Sequence, residues 1–492
     1  MRTCGILLRP SKPKPSRAAA AWLRLAAMCI GLALLTGSAC ATASLSLESA
    51  SRLLVIAPHP DDETLGAGGL ICAACQRGAQ AKVVFMTMGD GSAAAAGMLF
   101  GTARPSPDHM VALGRRRRNE AIAALGVLGV NEDDIVFLGY PDDGLADIVC
   151  NRHWGPDDLY TSKRTGHASS PYESTFTADA EYCVSRIVDD LAVILVDYMP
   201  DLVLVPHAND MHGDHWATYA LAMYTIERLN YIEFTGANVL SYIVHAGPNW
   251  PEPWGYRPDL PLDPPRGRDS PSTVWIRAEL TEDAIAAKLR ALDKYESQVA
   301  SMSAFLKSFI RRNELFCSVP VLDLSSHQEF GRTHSNGAYE ARPDPRPFRV
   351  LPPSGEIRSV VANRTDDGVV VTATLAWRPS PSVTYRLQIV SCVPTPELSG
   401  LLCGQQLRPP AKELTYETTP STGWRRPWEA AFVIPPHDLE SLGAKALIEV
   451  VTLRRGLVVD RSGWILLRLC LRQRVSGCGV EELSAILGLV AA

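Results

Sequence analysis

The sequence predicts an α/β protein: a Rossmann-like layered domain with a mostly parallel sheet, followed by a C-terminal antiparallel β-sandwich domain. From residue 52 to residue 207, short apolar runs alternate with segments of helical spacing. This alternation is typical of a parallel sheet covered by helices. From residue 357 to about residue 471, short alternating runs are instead separated by Pro, Gly, Ser and Thr turns. That pattern favours a sandwich of the immunoglobulin or fibronectin type III kind.

The length and charge of the chain bound its organisation and its partners. A chain of 492 residues is too long for one hydrophobic core, so two or three domains are expected. The net charge of -5 gives no excess of basic residues to neutralise a phosphate backbone. A nucleic-acid partner is therefore not expected.

Residues 1–43 have the features of an export signal. They hold six basic residues and no acidic residue, followed by the apolar stretch "LAAMCIGLALL" and the small residues of "TGSACATAS". The sequence leaves three outcomes open: cleavage after Ala41 or Ala43, lipidation of Cys40, or retention as an anchor. Residues 25–47 are uncharged and about long enough to span a membrane. The protein is expected to be exported and to be periplasmic, secreted or membrane-anchored, with attachment through this N-terminus in the anchored forms.

The elements of the first domain follow one another as strands and helices. "RLLVIAP" is the first predicted strand, a helix follows around Gly68 to Arg77, and "AKVVFMTMG" is the second strand. "RRRRNEAIAALGVLGV" is a helix closed by glycine, and "DIVFLGYPDDG" is the third strand. "AEYCVSRIVDDLAVILVDYMP" is a helix ended by Pro200, and "DLVLVPH" is the fourth strand. Ligands bind at the carboxyl ends of such strands, which is where "PHPDDE" and "PHANDMHGDH" begin.

The domain boundaries follow from the remaining pattern. A Pro-rich stretch precedes one long predicted helix, "AELTEDAIAAKLRALDKYESQVASM", and the first domain is expected to span residues 50–345. The joint "RPDPRPFRVLPPSG" leads to the β-sandwich domain at residues 356–472, and residues 473–492 form a tail. Strands of the second domain are predicted in "GVVVTATLAW", "VTYRLQIV", "EAAFVI" and "ALIEVVTL".

The stretch "HPDDE", residues 59–63, places a histidine and three carboxylates directly after the first strand. His59 and Asp62 can reach one ion from a turn, and His215 would complete three protein ligands. Imidazoles with a carboxylate suit Zn²⁺ or Fe²⁺ better than Mg²⁺. Asp61 is then left beside the metal, well placed as a general base. The alternative is a solvated acidic turn that caps the following helix.

The second cluster decides between these interpretations. "HANDMHGDH" holds three of the chain's 11 histidines within nine residues, after another strand of the same predicted sheet. Two such clusters on one sheet edge favour a metal site over an acidic turn.

At this point the sequence resembles a known family, the LmbE-like or PIG-L-like N-acetylglucosaminyl de-N-acetylases. "APHPDDETLGAGG" is similar to the first signature of that family and "HGDH" to the second. The resemblance runs in order over roughly residues 52–300 and does not cover the C-terminal third. Three further motifs carry it: the R-x-x-E-x-x-x-A-x-x-x-L-G-V helix (Arg117, Glu120, Ala124, Leu128, Gly129, Val130), the "FLG-x-x-D" strand end (Phe137, Leu138, Gly139, Asp142) and "Y-x-S-Q" (Tyr295, Ser297, Gln298).

The resemblance implies a zinc-dependent N-deacetylase, a hydrolase of linear amide C–N bonds that acts on an amino sugar. By motif position, His59, Asp62 and His215 would bind the metal, which is Zn²⁺ with Fe²⁺ as the alternative. Asp61 would activate a metal-bound water as the nucleophile.

The resemblance also implies roles for four further residues. His212 would stabilise the oxyanion and protonate the leaving amine, and Asp214 would orient it. Arg117 and Asp142 would contact sugar hydroxyls. For these two the alternatives are a solvated helix face and a residue that only closes a turn.

The function favoured by the sequence is an exported metal-dependent amide hydrolase that removes N-acetyl from a GlcNAc-containing glycan or glycoconjugate. One alternative is a related amidase or deacylase acting on a thiol-sugar or glycopeptide conjugate. Another is a non-catalytic carbohydrate-binding surface protein, against which Asp61 argues, because binding alone needs no general base. Gly213 departs from the family, which more often has proline there, and His207 is an extra histidine expected to be structural.

Overall fold

A computed structural model describes residues 43–44, 50–230, 237–247, 249–265, 274–324, 355–393, 412–418 and 428–469. The tail and all but the last residue of the predicted export signal lie outside these ranges. Within them, no helix is both long enough and apolar enough to cross a membrane.

One eight-stranded sheet organises the N-terminal half of the described chain. Its strands are β1 (Ala43–Ser44), β2 (Arg52–Ala57), β3 (Gln80–Thr87), β4 (Ile135–Tyr140), β5 (Leu202–Pro206), β6 (Asn238–Tyr242), β7 (Trp275–Glu279) and β8 (Asn313–Ser318). The spatial order is β1-β7-β8-β6-β5-β2-β3-β4. Strands β6, β5, β2, β3 and β4 are all parallel, and only β8 runs antiparallel to its neighbours β6 and β7. The predicted mostly parallel sheet is confirmed.

Helices cover both faces of this sheet. They are α1 (Asp62–Gln76), α2 (Ala93–Phe100), α3 (Pro107–Leu128), α4 (Leu145–Cys150), α5 (Val184–Tyr198), α6 (Gly213–Leu229), α7 (Glu282–Leu292) and α8 (Glu296–Lys307). Successive strand residues point to opposite faces. Val55 therefore packs in one hydrophobic cluster with α1 and α3, whereas its neighbour Ile56 packs in a second cluster with α5 and α6.

The order of the strands creates a switch point beside β2. The chain passes from β2 to β3 to β4 on one side, and β5 then returns to the other side of β2. In open α/β sheets, ligands bind outside the carboxyl ends of strands at such a point. The segments that follow β2 and β5 are "PHPDDE" and "HANDMHGDH", so the topology brings both predicted clusters to one place.

The prediction of a single long helix before the end of the first domain is wrong. Its first residues belong to β7, and the rest divides into α7 and α8 with a break at residues 293–295. Tyr295 has a non-helical backbone (φ -79°, ψ 57°) and its hydroxyl donates to the Glu63 carboxylate at 2.5 Å. The break between the two helices therefore coincides with a tertiary contact.

The C-terminal part forms two sheets that are largely antiparallel. The strands are β9 (Val321–Asp323), β10 (Ile357–Thr365), β11 (Gly368–Leu375), β12 (Thr384–Ser391), β13 (Glu413–Thr418), β14 (Glu429–Ile434), β15 (Lys445–Arg454), β16 (Leu457–Arg461) and β17 (Ile465–Arg468), and the helix α9 (Pro436–Leu442) lies among them. One sheet has the order β10-β11-β14. The other has the order β13-β12-β15-β17-β9, with β16 paired to β15. Alternate residues of both sheets share one hydrophobic cluster, and the antiparallel part of the prediction is confirmed.

The C-terminal sheets pack directly on the N-terminal half. Strand β9, within the range predicted for the first domain, adds to the larger C-terminal sheet by parallel pairing with β17. Leu447, Trp464 and Leu466 belong to the same buried cluster as α5 and α6. Lys445 Nζ lies 2.5 Å from Glu227 Oε2 on α6.

Gly463 marks the tightest of these approaches. Its φ is +74°, and a Cβ built there would lie 2.5 Å from Asn209 Oδ1 and 2.6 Å from the Ala208 carbonyl oxygen. The C-terminal part therefore touches the loop that follows β5, and only glycine fits at the contact.

We expect Gly463→Ala to destabilise the protein more than the matched change Gly456→Ala. Both glycines have positive φ, +74° and +79°, so each alanine pays about 1–2 kcal/mol for the left-handed backbone. Gly463 also faces close atoms, which adds about 1–3 kcal/mol of overpacking, whereas a Cβ at Gly456 meets no atom of the described residues within 4 Å. Urea unfolding of both variants measures the difference, and equal losses would show that the contact is unimportant.

Candidate metal centre and active site

The predicted site residues converge on one cavity at the switch point. The cavity has a volume of about 280 Å³. Six of the eight predicted residues line it: His59, Asp61, Asp62, Arg117, Asp142 and His212. The other two, Asp214 and His215, are 1% and 0% exposed and contact lining residues.

The three predicted metal ligands lie together. Asp62 Oδ2 is 3.0 Å from His59 Nδ1 and 3.1 Å from His215 Nε2. The rings of His59 and His215 are 5.3 Å apart between centroids. His59 and Asp62 follow β2, and His215 lies at the start of α6, which follows β5. Strands β2 and β5 are neighbours in the sheet.

The donor set fits a metal ion such as Zn²⁺. Both ring nitrogens of His215 are buried without a partner in hydrogen-bond geometry among the described residues, although carboxylate oxygens of Asp62 and Asp210 lie 3.1 and 3.2 Å away. Burying such nitrogens without a partner is costly. Imidazole nitrogen with carboxylate oxygen is a donor set that binds Zn²⁺ or Fe²⁺.

Charge also favours a cation here. Burial alone would lower the pKa of His215, but the Asp210 and Asp62 carboxylates outweigh burial and raise this pKa to about 10. Burial likewise opposes the charged form of Asp62, yet its histidine neighbours hold the Asp62 pKa well below the usual range. Metal ligands must be deprotonated, so a bound metal ion would take the place of the His215 proton.

Two residues that sequence reasoning left unassigned complete this centre. His245 follows β6, and Asp62, His215 and His245 form one of the sets whose ligand atoms lie within 4.8 Å of one another. Burial lowers the pKa of His245 to about 3, so this ring is neutral. Asp210 Oδ2 accepts backbone N–H groups of Val244 and His245 at 3.0 and 2.9 Å. A histidine at the carboxyl end of a strand adjacent to β5 was the signal that could have identified His245.

Asp61 occupies a strained backbone position at the start of α1. Its φ is 128°, a region that L-residues rarely adopt, and such strain is concentrated at functional sites. Its N–H donates to Glu63 Oε2 at 3.1 Å, and its Oδ2 lies 3.4 Å from Arg117 Nη2. Burial raises the pKa of Asp61 to about 8 even though Arg117 opposes this shift. The side chain is thus a carboxylate of increased basicity facing the cavity.

Glu63, the third carboxylate of "HPDDE", holds this turn in place. It is fully buried, and besides the Asp61 N–H it accepts the hydroxyls of Tyr295 and Thr64. The "Y-x-S-Q" motif is therefore structural in part: Tyr295 supports Glu63, and Ser297 Oγ donates to Glu120 on α3 at 2.7 Å.

His212 is the N-cap of α6, and its Nδ1 accepts the Asp214 N–H at 3.3 Å. With Nδ1 as an acceptor, the proton of the neutral ring belongs on Nε2. Burial and the neighbouring histidines lower the pKa of His212. The neutral ring can therefore donate a hydrogen bond from Nε2.

Asp214 contacts His59 rather than the His212 ring with its carboxylate. Asp214 Oδ2 lies 3.2 Å from His59 Nε2 and accepts the Asp143 N–H at 2.6 Å, and Oδ1 accepts the Leu145 N–H at 3.0 Å. The link to His212 runs through the Asp214 backbone. In the structure, the Asp214 side chain orients His59.

The two predicted substrate residues lie at the cavity and have protein partners. Arg117 donates to the carbonyl oxygens of Gly89 and Pro60 at 2.9 and 2.6 Å, which fixes the turn that carries Asp61. Asp142 accepts the Gly91 N–H at 2.7 Å and lies 3.2 Å from His59 Nε2. Their contacts to sugar hydroxyls remain predictions. The extra histidine, His207, stacks on Trp275 with the ring centroids 5.9 Å apart.

Comparisons with known proteins match the segment of the chain that carries these residues. A family model described as PIG-L, GlcNAc-PI de-N-acetylase, matches residues 54–226. The chain is 28% identical over 270 residues to a 1D-myo-inositol 2-acetamido-2-deoxy-alpha-D-glucopyranoside deacetylase of Mycobacterium sp. (strain KMS), covering 52% of this chain and 74% of that protein. A protein of the same name from Streptomyces griseus is 27% identical over 238 residues, covering 47% and 56%.

Among solved structures, the chain is similar to the N,N'-diacetylchitobiose deacetylase of Pyrococcus horikoshii. The two are 19% identical, and the match covers 62% of this chain and 94% of that one with a TM-score of 0.34. The family match lies on the segment that carries the two clusters and begins within β2. Residues 54–226 therefore belong to the PIG-L family of GlcNAc-PI de-N-acetylases, a family of deacetylase hydrolases.

Proposed function

We propose that this protein is a metal-dependent amide hydrolase that removes the N-acetyl group from a GlcNAc-containing glycan or glycoconjugate. The observation that carries the proposal is the convergence of His59, Asp62 and His215 beside the carboxylate of Asp61, a residue with a strained backbone. The family of residues 54–226 supports the proposal, and so do the relatives, which are deacetylases of an acetamido sugar joined to inositol.

Zn²⁺ is the proposed metal and Fe²⁺ the alternative, because both accept imidazole nitrogen and carboxylate oxygen. His59, Asp62 and His215 would hold the ion. When bound, it would polarise the acetyl carbonyl and lower the pKa of a water molecule toward about 7.

The chain's own residues supply the proton transfers. Asp61 removes a proton from the water whose oxygen joins the acyl carbon. His212 donates a hydrogen bond from Nε2 to the oxygen that develops negative charge. When the C–N bond breaks, the amine nitrogen takes the proton that Asp61 removed from the water. The Asp61 carboxylate is thereby regenerated, and the neutral His212 ring keeps its Nε2 proton. Acetate and a free amino sugar are the products.

The direct test is acetate release from N-acetylglucosamine, N,N'-diacetylchitobiose and GlcNAc-inositol by the purified protein. We expect acetate and free amine to appear in equal amounts with at least one of these compounds. Amine release from a longer N-acyl analogue, with no acetate from any of the three, would instead favour the amidase or deacylase alternative. Binding of these sugars without any hydrolysis would favour the carbohydrate-binding alternative.

Two further parts of the sequence interpretation are carried here as proposals. We propose export through residues 1–43, supported by their basic, apolar and small residues in that order. A mature N-terminus at residue 42 or 44 would support cleavage, and an intact Met1 on cytoplasmic protein would contradict export. We also propose that the two C-terminal sheets form a β-sandwich, supported by the hydrophobic cluster that they share.

A further inference from the structure

A second and larger cavity adjoins the candidate site. It has a volume of about 540 Å³ and is formed by the loop that follows β5, by α4 and by the C-terminal strands β15 and β16. Asp143 lines both cavities, so the two lie next to each other. The volume lies within the range usual for small-molecule sites.

The two halves of the chain build this cavity together. Trp216, which follows His215 directly, lines it from α6. Arg461 and Glu449 line it from β16 and β15. The Arg461 guanidinium lies over the Trp216 ring, 5.0 Å from its centroid, and donates to Glu449 Oε2 at 2.8 Å. The wall is therefore ordered by specific contacts.

Glu449 supplies the observation that points to a ligand. The residue is fully buried, and its Oε1 has no hydrogen-bond partner among the described residues. A buried carboxylate oxygen without a partner is costly, and that cost is removed by a hydrogen-bond donor. A hydroxyl or an amine on an occupant of the cavity would supply such a donor.

The remaining charges restrict the ligand further. Among the described residues, the cavity is lined by one basic residue, Arg461, and by five acidic residues: Asp143, Asp147, Asp210, Glu449 and Asp460. Arg164 and Lys163 pair with Asp143 and Asp147 from outside this lining, which leaves the other three acidic residues against Arg461. An anionic group such as a phosphate would be repelled there, whereas a neutral or amine-bearing sugar ring would not. Trp216 adds an apolar ring of the kind that binds sugar rings.

We propose that this cavity is a subsite for a second, unphosphorylated sugar unit of the substrate, bound jointly by the catalytic half and the C-terminal sheets. This inference rests on the proposed deacetylase function and specifies its substrate class: a glycan of at least two sugars. The proposal excludes substrates in which a phosphate follows the acetamido sugar.

The test compares N,N'-diacetylchitobiose with N-acetylglucosamine. We expect the wild-type kcat/KM to be at least about tenfold higher for the disaccharide, the gain of one hydrogen bond to a charged group. Glu449→Gln and Val458→Trp should each lower that ratio toward one. The first removes the charge. The second fills the cavity from β16 at a partly exposed position and stays informative if the first fails to fold.

The matched control is Glu440→Gln, an exposed glutamate on α9 that does not line the cavity. Its ratio should equal that of the wild type. A wild-type ratio near one, or a ratio that Val458→Trp leaves unchanged, would overturn the proposal.

Calorimetric binding of the same two sugars keeps this test separate from the proposed function. If no acetate is released from either sugar, the deacetylase proposal fails, yet binding still decides the subsite. At least about tenfold tighter binding of the disaccharide, lost in Val458→Trp, supports it. Equal affinities for the two sugars overturn it.

Discussion

Replacement of Asp61 by asparagine is expected to lower kcat for acetate release by about 10²–10⁴-fold, the usual contribution of a general base. The substitution removes only the ability to accept a proton, because asparagine has nearly the same shape. Asparagine and aspartate are enriched to a similar degree among residues with positive φ, so the exchange adds no new backbone preference at φ 128°. The Asp61 N–H can still donate to Glu63 and keep the turn intact. We therefore expect metal content and thermal stability close to those of the wild type.

The control for Asp61→Asn is Asp179→Asn. Asp179 also has a positive φ, 51°, but is exposed and lies outside both cavities. This change should leave kcat unaltered. Steady-state kinetics with parallel measurement of metal content distinguish the outcomes. If Asp61→Asn keeps more than about a tenth of the wild-type kcat, another group is the base and the assignment is wrong.

Replacement of His215 by alanine is expected to abolish both metal binding and activity. His215 lies between Asp62 and Asp210, and neither ring nitrogen has a partner in hydrogen-bond geometry within the described part of the chain, so a ligand position would be lost. Even a residue that only orients a metal ligand is worth about 10–100-fold in affinity. The loss for His215→Ala should therefore exceed about 100-fold. Metal analysis after dialysis should find about one zinc ion per wild-type chain and none in the variant.

Variants of three other histidines define the ligand set. We expect His59→Ala to lose zinc as well, whereas His245→Ala should retain it. The opposite result would make Asp62, His215 and His245 the ligands, which is one of the three sets of described residues whose ligand atoms lie within 4.8 Å of one another. His207→Gln is the control from the same loop, because His207 packs against Trp275 instead of joining any of the three candidate metal sets.

Much of the site could be predicted because it depends on where strands end. The apolar runs of β2 and β5 are clear in the sequence, and the carboxyl ends of adjacent parallel strands share an edge. His59, Asp62 and His215 were brought together by that argument alone. His245 was missed because β6 carries a weaker pattern and is only partly buried at its start. A single histidine after such a strand gives little signal without its neighbours in space.

Other features depend on contacts that no local pattern encodes. The break between α7 and α8 lies at Tyr295, whose partner Glu63 is 232 positions away. The approach of Gly463 to the loop after β5 brings together residues that are far apart in the sequence. Helical spacing reports which face of a segment is apolar, but it does not report which distant side chain that segment will meet.

The packing of Trp464 and Leu466 against α5 and α6 has a practical consequence for producing this protein. Cutting the chain after residue 345, to isolate the part that resembles other family members, would strip a buried apolar face and leave it in water. Contiguous exposed apolar surface promotes aggregation. The shortest piece suitable for expression and crystallisation therefore continues through β17, and the two halves should be treated as an inseparable unit rather than as interchangeable modules.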